Sequence, residues 1–174
     1  MSSEKETKTN NFWGNIFSRD KDTGAMSTSD FLENIPVFKE LSRRERKRVA
    51  AIIYDRTYEP GEFMFEKEQP GAAMFMIKKG QVKIVAPSKQ GSEIELATIS
   101  DGQFVGELAL LDDSPRSASA KAAAPTQALA FFRTDLNKLL DTEPVIASKI
   151  LRELAIIIGK RLKATNEQLY GKDV

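Results

Sequence analysis

Gly106-Glu107-Leu108-Ala109-Leu110-Leu111, followed after three residues by Pro115-Arg116-Ser117-Ala118-Ser119, is the stretch on which the reading of this chain turns. It sets one carboxylate and one guanidinium nine positions apart across a tight turn. A glycine stands at one end and a small hydroxyl residue at the other. Such a loop suits a ligand that is both a sugar and a phosphate. The Glu107 carboxylate can accept hydrogen bonds from a ribose hydroxyl. The Arg116 fork matches two phosphate oxygens, a geometry that a point-charge lysine cannot copy. Gly106 lets the backbone approach a ligand without a side chain in the way. Glu107 to Leu111 are good helix formers and predict one short helical turn. The first amides of such a turn lack internal partners and face outward in positive potential, which favours a phosphate. Pro115 fixes its own backbone angle just before Arg116 and aims the arginine back into the loop.

With its flanks, the segment resembles the phosphate-binding cassette of the cyclic nucleotide-binding domain family. That family includes regulatory subunits of cyclic-AMP-dependent kinase, cyclic-nucleotide-gated channels and bacterial catabolite activators. Its pattern runs Phe-Gly-Glu-(aliphatic)-(Ala or Gly)-Leu, a short gap, then Pro-Arg-(small)-Ala-(Ser or Thr). The resemblance implies that Glu107 binds the ribose 2′-hydroxyl and Arg116 the cyclic phosphate. It implies that Val105, Gly106, Leu108, Ala109 and Ser117 complete the site. One departure is visible. Val105 stands where the pattern has phenylalanine, and Phe104 lies one place earlier. That changes the packing behind the loop and touches neither polar contact. A glutamate and an arginine in one loop are more often a solvated surface pair. Agreement in type and spacing along the whole motif favours the ligand site.

Composition sets the outer bounds. The chain has 174 residues, enough for one domain with a sizeable core. Lys plus Arg number 26 and Asp plus Glu 25, so no electrostatic footprint for nucleic acid or a membrane surface is expected. Cysteine and histidine are absent. No disulfide, thiolate nucleophile or histidine-ligated metal is available, which excludes a histidine-ligated cupin. No apolar run is long enough to span a membrane, and the N-terminus lacks the apolar core of a signal peptide. The expected address is the cytoplasm.

Met1 to Ser27 reads as a mobile tail rich in Lys, Ser, Thr, Asn and Asp. Within it, Asn11-Phe12-Trp13-Gly14-Asn15-Ile16-Phe17 is either a locally packed helix or an anchor for a partner. Asp20 to Gly24 reads as a hinge. Residues 28–174 are expected to form the domain, with helices over 28–53, a β-roll over 54–132 and helices over 134–170. Ser42-Arg43-Arg44-Glu45 has the spacing of a capping box and predicts a helix to about Ile53. Its arginines read as a solvated face, because Val49, Ile52 and Ile53 supply an apolar side. From Tyr54 to Phe132, short alternating runs separated by turn signals predict an all-β roll. The turns fall at Glu59-Pro60-Gly61-Glu62, Gln69-Pro70-Gly71, Lys79-Gly80, Lys89-Gln90-Gly91-Ser92 and Asp101-Gly102. Where the family more often shows Glu-Gly-Glu-x-Gly-Asp, this chain has Glu68-Gln69-Pro70-Gly71-Ala72, a turn expected to matter little to the ligand.

Thr134-Asp135 is expected to cap a short helix, and Thr142-Glu143-Pro144 a long one reaching about Tyr170. Leu151, Ala155, Ile158, Leu162, Thr165 and Leu169 recur in steps of four and three, a seam spacing that predicts a homodimer through this helix. Arg161-Leu162-Lys163-Ala164-Thr165-Asn166-Glu167 is similar to the segment that reaches adenine in catabolite activators. The resemblance implies that Thr165 and Asn166 contact the base and that cyclic AMP is the ligand. Ser117 is the counterweight, because in some members that position helps hold guanine. The chain ends four residues after Tyr170 without a helix-turn-helix, so its output is expected to pass to a protein partner.

The expected fold is therefore mainly β with flanking helices. It is an eight-stranded antiparallel β-roll closed by a long C-terminal lid helix. The expected function is a non-enzymatic sensor of cyclic AMP or cyclic GMP, with no catalytic cofactor and no metal. One rival is an interaction scaffold of the same fold that binds no ligand. A second is a metal hydrolase using Asp112 and Asp113, disfavoured because adjacent acids on a loop are usually solvated. A third is a DNA-binding regulator, disfavoured by charge.

Overall fold

The computed structural model describes residues 26–88 and 91–170. The aromatic segment and hinge expected in the tail lie outside the described residues, as do Lys89 and Gln90 of one predicted turn.

Helix α1 (Thr28–Glu33) starts where the Ser27 hydroxyl accepts the Asp30 amide. A 3-10 turn follows at Pro36–Phe38, then α2 (Arg43–Ala50). The capping box forms as expected: Ser42 Oγ accepts from the Glu45 amide at 3.3 Å, and the Ser42 amide donates to Glu45 Oε2 at 2.7 Å. The helix stops at Ala50 rather than Ile53. Ile52 and Ile53 bond three residues back to Val49 and Ala50. Their β-branched side chains then lead directly into the first strand.

The strands are β1 (Tyr54–Tyr58), β2 (Phe63–Phe65), β3 (Ala73–Lys79), β4 (Gln81–Pro87), β5 (Glu93–Ser100), β6 (Phe104–Val105), β7 (Ser119–Ala122) and β8 (Thr126–Phe132). They form two four-stranded sheets, ordered β1-β8-β3-β6 and β2-β7-β4-β5, with every pairing antiparallel. This is the expected β-roll with helices at both ends. Simple alternation fails at its centre. Ala73 to Ile77 of β3 are all buried, as are Ala128 to Phe131 of β8. Both faces of the sheet are covered at these two central strands, while its edge strand β1 is largely exposed. Phe75 and Ile77 join Met64, Val82, Ala120 and Ala130 between the sheets. Met74, Met76 and Phe131 join Leu32, Phe38, Val49 and Leu154 beneath the helices.

The strand β8 runs directly into α3 (Arg133–Thr142), and α4 (Pro144–Tyr170) follows. Here the two expected caps are corrected. The N-cap of α3 is Phe132, which has no side-chain cap, so Thr134 lies inside the helix. Continuity with β8 sets that start. Thr142 Oγ1 donates back to Lys138 O at 2.8 Å and so belongs to the end of α3. Pro144 does occupy the first position of α4, where its missing N–H costs no helical bond.

The first half of α4 is anchored. Ile146, Ala147, Ile150 and Leu154 are buried in the helical core. Three ion pairs tie this region to the N-terminal helices: Arg48 to Glu143, Glu45 to Lys149 at 2.8 Å, and Lys39 to the buried Glu153 at 3.0 Å. Lys149 and the Ser42 amide hold the Glu45 carboxyl below its ordinary range. That contribution to stability is present at neutral pH and lost as pH falls through the lowered value. From Gly159 onward the described part of α4 is exposed.

Candidate functional site

The loop singled out in the sequence is delivered by β6. Its two residues pair with β3, Val105 opposite Phe75 and Phe104 opposite Met76. The chain then turns sharply at Gly106, whose φ of +78° is left-handed. Glycine is required there twice over. The angle disfavours any L side chain, and a Cβ would sit 2.5 Å from Arg116 Nη1 and 3.3 Å from Ala73 O. Glu107–Leu110 forms the expected helical turn, of 3-10 type.

Glu107 and Arg116 are both buried, at 6 % and 8 % exposure, although they lie on a surface loop. Charged groups are rarely buried without a compensating partner. The Glu107 carboxylate is paired with Arg161 from α4. Arg116 Nη2 donates to Ala73 O at 2.6 Å and Nη1 to Gly106 O at 3.2 Å. Its guanidinium lies 4.0 Å from the centre of the Phe65 ring, and its Nε has no protein partner. Burial pulls the Arg116 guanidinium below its ordinary pKa, and the negative charge of Glu107 opposes that shift. The arrangement is two buried opposite charges under a left-handed glycine, with the Nε of the arginine uncommitted.

The backbone of Arg116 is fixed by the preceding turn. Its N–H donates to Gln69 O and its carbonyl accepts from the Glu68 amide, both at 2.9 Å. Glu68 itself has φ of 67°. The Glu68–Ala72 departure from the family pattern therefore underlies the arginine directly. The segment is a turn, as the sequence reading has it, and it is hydrogen-bonded to the backbone of Arg116.

The other expected residues divide into two groups. Val105, Gly106, Leu108 and Ala109 lie with Glu107 on one loop; Ala109 is buried, Leu108 exposed. Ser117 is exposed beside Arg116. Thr165 and Asn166 are exposed on α4, and the Thr165 hydroxyl donates back to Arg161 O at 2.9 Å. Of that helical segment, Arg161 makes the contact with the loop: it also lies over the Phe104 ring at 5.1 Å. Sequence reasoning assigned Arg161 no role. The available signal was its position four residues before Thr165, on the same helix face. Phe65 was missed because only folding brings it beneath Arg116. Asp112, named in the hydrolase reading, accepts from the Ser114 amide at 3.2 Å and its hydroxyl at 2.9 Å. It serves its own turn.

The model of the cyclic nucleotide-binding domain matches residues 55–143, a span that holds the whole loop, Glu107 and Arg116. This chain belongs to the cyclic nucleotide-binding domain family. It is 30 % identical over 138 residues to the cyclic AMP receptor protein of Thermus thermophilus, covering 79 % of this chain and 62 % of that protein. It is 36 % identical over 96 residues to a cAMP-dependent protein kinase regulatory subunit of Mycosarcoma maydis, covering 55 % of this chain and 18 % of the subunit. The chain thus spans less than two thirds of the length of these curated relatives. A solved cyclic nucleotide-binding domain from Methylobacillus flagellatus superposes with a TM-score of 0.73 at 22 % identity, covering 85 % of this chain and 87 % of that one. At that identity the likeness speaks to the fold. The family model that matches describes a ligand-binding domain. Among the described residues, no helix of this cyclic nucleotide-binding domain is long and apolar enough to cross a membrane.

Proposed function

We propose that residues 28–174 bind cyclic AMP reversibly and report its presence through α4. Glu107 accepts the ribose 2′-hydroxyl, Arg116 holds the cyclic phosphate, and the loop from Val105 to Ala109 with Ser117 encloses the sugar and phosphate. Thr165 and Asn166 meet the adenine, offering a hydroxyl and an amide to its exocyclic amine and ring nitrogen. The observation that carries the reading is the burial of Glu107 beside Arg116 under Gly106, in a family built around this ligand class. The Arg161–Glu107 pair supports coupling to the helix. A sugar hydroxyl that takes Glu107 competes with Arg161 for the same carboxylate, so occupancy biases the position of α4. Only such differential contact shifts a conformational equilibrium. The output passes to a protein effector or to a second copy of the chain in the cytoplasm.

Calorimetry with cyclic AMP and cyclic GMP tests the ligand. At about a hundred times its dissociation constant, the preferred nucleotide should stabilise the fold by about 2.7 kcal/mol. For the sugar, Glu107→Gln should weaken cyclic AMP about tenfold or more, the loss of one charged hydrogen bond. Wild-type protein should likewise disfavour 2′-deoxy cyclic AMP. Equal affinity for ribose and deoxyribose forms would remove Glu107 from this role.

Assembly through α4 is the second element of the proposal. Leu162 and Leu169 are 60 % and 63 % exposed, and they stand on the seam spacing with exposed Ala155 and Thr165. Leu162→Glu should convert a dimer to a monomer in sedimentation velocity. Identical sedimentation of variant and wild type would sink the seam.

The alternative reading, a scaffold that binds no ligand, has one observation in its favour: Glu107 and Arg116 already have partners within the protein. A folded protein that gives no heat with either nucleotide would favour it.

A further inference from the structure

Arg133 is the first residue of α3 and lies seventeen positions beyond Arg116, outside the motif. Its Nη1, which carries two hydrogens, lies within hydrogen-bond reach of three backbone carbonyls: Gly71 O at 3.1 Å, Ala109 O at 3.3 Å, and Asp112 O. Its own N–H donates to Ala72 O at 2.9 Å. The three carbonyls come from two pieces of chain. Gly71 belongs to the turn that seats Arg116. Ala109 lies within the Glu107–Leu110 turn, and Asp112 just after it. One half-buried guanidinium therefore gathers both walls of the loop from behind.

The electrostatics agree with the geometry. Ala109 and Asp112 present carbonyls at the negative end of the short turn, where a cation is favoured. Hydrogen bonds from a charged donor are stronger than neutral ones. Arg133 reaches the loop through its carbonyls, so its role is to hold other groups in place. Arg133 also opens the helix that packs on α4.

We propose that Arg133 is a positioning residue: it holds the 106–116 loop in the geometry that Glu107 and Arg116 need. The proposal rests on the reading that this loop binds a cyclic nucleotide. Two measurements on the full chain separate the two ideas. The first is cyclic AMP affinity, read well below each variant's own melting temperature. Arg133→Ala should bind about tenfold more weakly, and Arg133→Lys should recover part of the loss. In the Arg116→Ala background, Arg133→Ala should cost much less than tenfold, because both changes damage one unit. A purely structural arginine predicts lower melting temperatures with unchanged affinity, or losses that multiply fully; either result overturns the proposal. The second is hydrogen exchange of the amides of residues 107–112 without nucleotide, which Arg133→Ala should accelerate at least about tenfold relative to the distant β4 amides. Equal protection in variant and wild type would refute the strut even if cyclic AMP binds. Failure of wild-type protein to bind cyclic AMP, with exchange accelerated as expected, would refute the proposed ligand and leave the strut standing.

Discussion

Replacing Arg116 with alanine is expected to weaken cyclic AMP binding by about ten- to a hundredfold, the loss of about 1.5–3 kcal/mol of charge-assisted bonding. A buried phosphate left without its cation loses more than a surface ion pair would, because water does not replace the partner. The site has 8 % exposure at Arg116, which places it on the buried side of that distinction. The same side chain also donates to Ala73 O and Gly106 O and stacks on Phe65, so the alanine variant should melt at lower temperature as well. Arg116→Lys separates the two effects. It keeps the charge but cannot span Ala73 O, Gly106 O and a phosphate together. Calorimetry on both variants, each at a temperature where it is folded, checks the result. Unchanged affinity in the alanine variant would mean that the loop is not the site.

The second large effect concerns stability and lies far from the ligand. Gly80→Ala in the turn between β3 and β4 should destabilise the fold by about 2–5 kcal/mol, combining backbone strain with overpacking. Gly80 has φ of +118°, which a side chain rarely adopts. A Cβ there would lie 2.6 Å from Thr126 Oγ1, 2.7 Å from Pro125 O and 2.8 Å from Thr126 Cα. Two of those neighbours are backbone atoms of Pro125 and Thr126, where β8 begins. They cannot give way, because β8 is paired on one side with β1 and on the other with β3. The Gly80 amide also donates to Asp101 Oδ1 at 2.8 Å, which fixes the turn from its other side. Urea unfolding of the variant measures the loss. A change below about 1 kcal/mol would show that the turn relaxes despite the sheet pairing. Ligand contacts at Glu107 and Arg116 should be little affected in whatever protein remains folded.

The two substitutions mark what was legible in the sequence. The turn at Gly80 was readable as punctuation, and so were most of the strands it separates. The capping box at Ser42 and Glu45 and the helical turn at Glu107 were readable too, because each depends on residues three or four apart. The family was legible for the same reason: its motif is compact, and Gly106, Glu107 and Arg116 lie on one short stretch. Local chemistry was less decisive at the ends of α2 and α3. Strand β1 takes over after Ile53, and the continuity of β8 starts α3 before Thr134.

The sequence by itself determined the kind of elements, their order, the loop and the two charged residues within it. Tertiary structure decided what those residues touch. Phe65 lies fifty-one positions before Arg116 and Arg161 fifty-four after Glu107, so no local pattern couples either pair. Only the closure of the sheets brings Phe65 and Ala73 O to the guanidinium. Only the docking of α4 brings Arg161 to the carboxylate. The reason is physical: a buried charge must find partners wherever the packed chain supplies them, and those partners are selected by the fold as a whole.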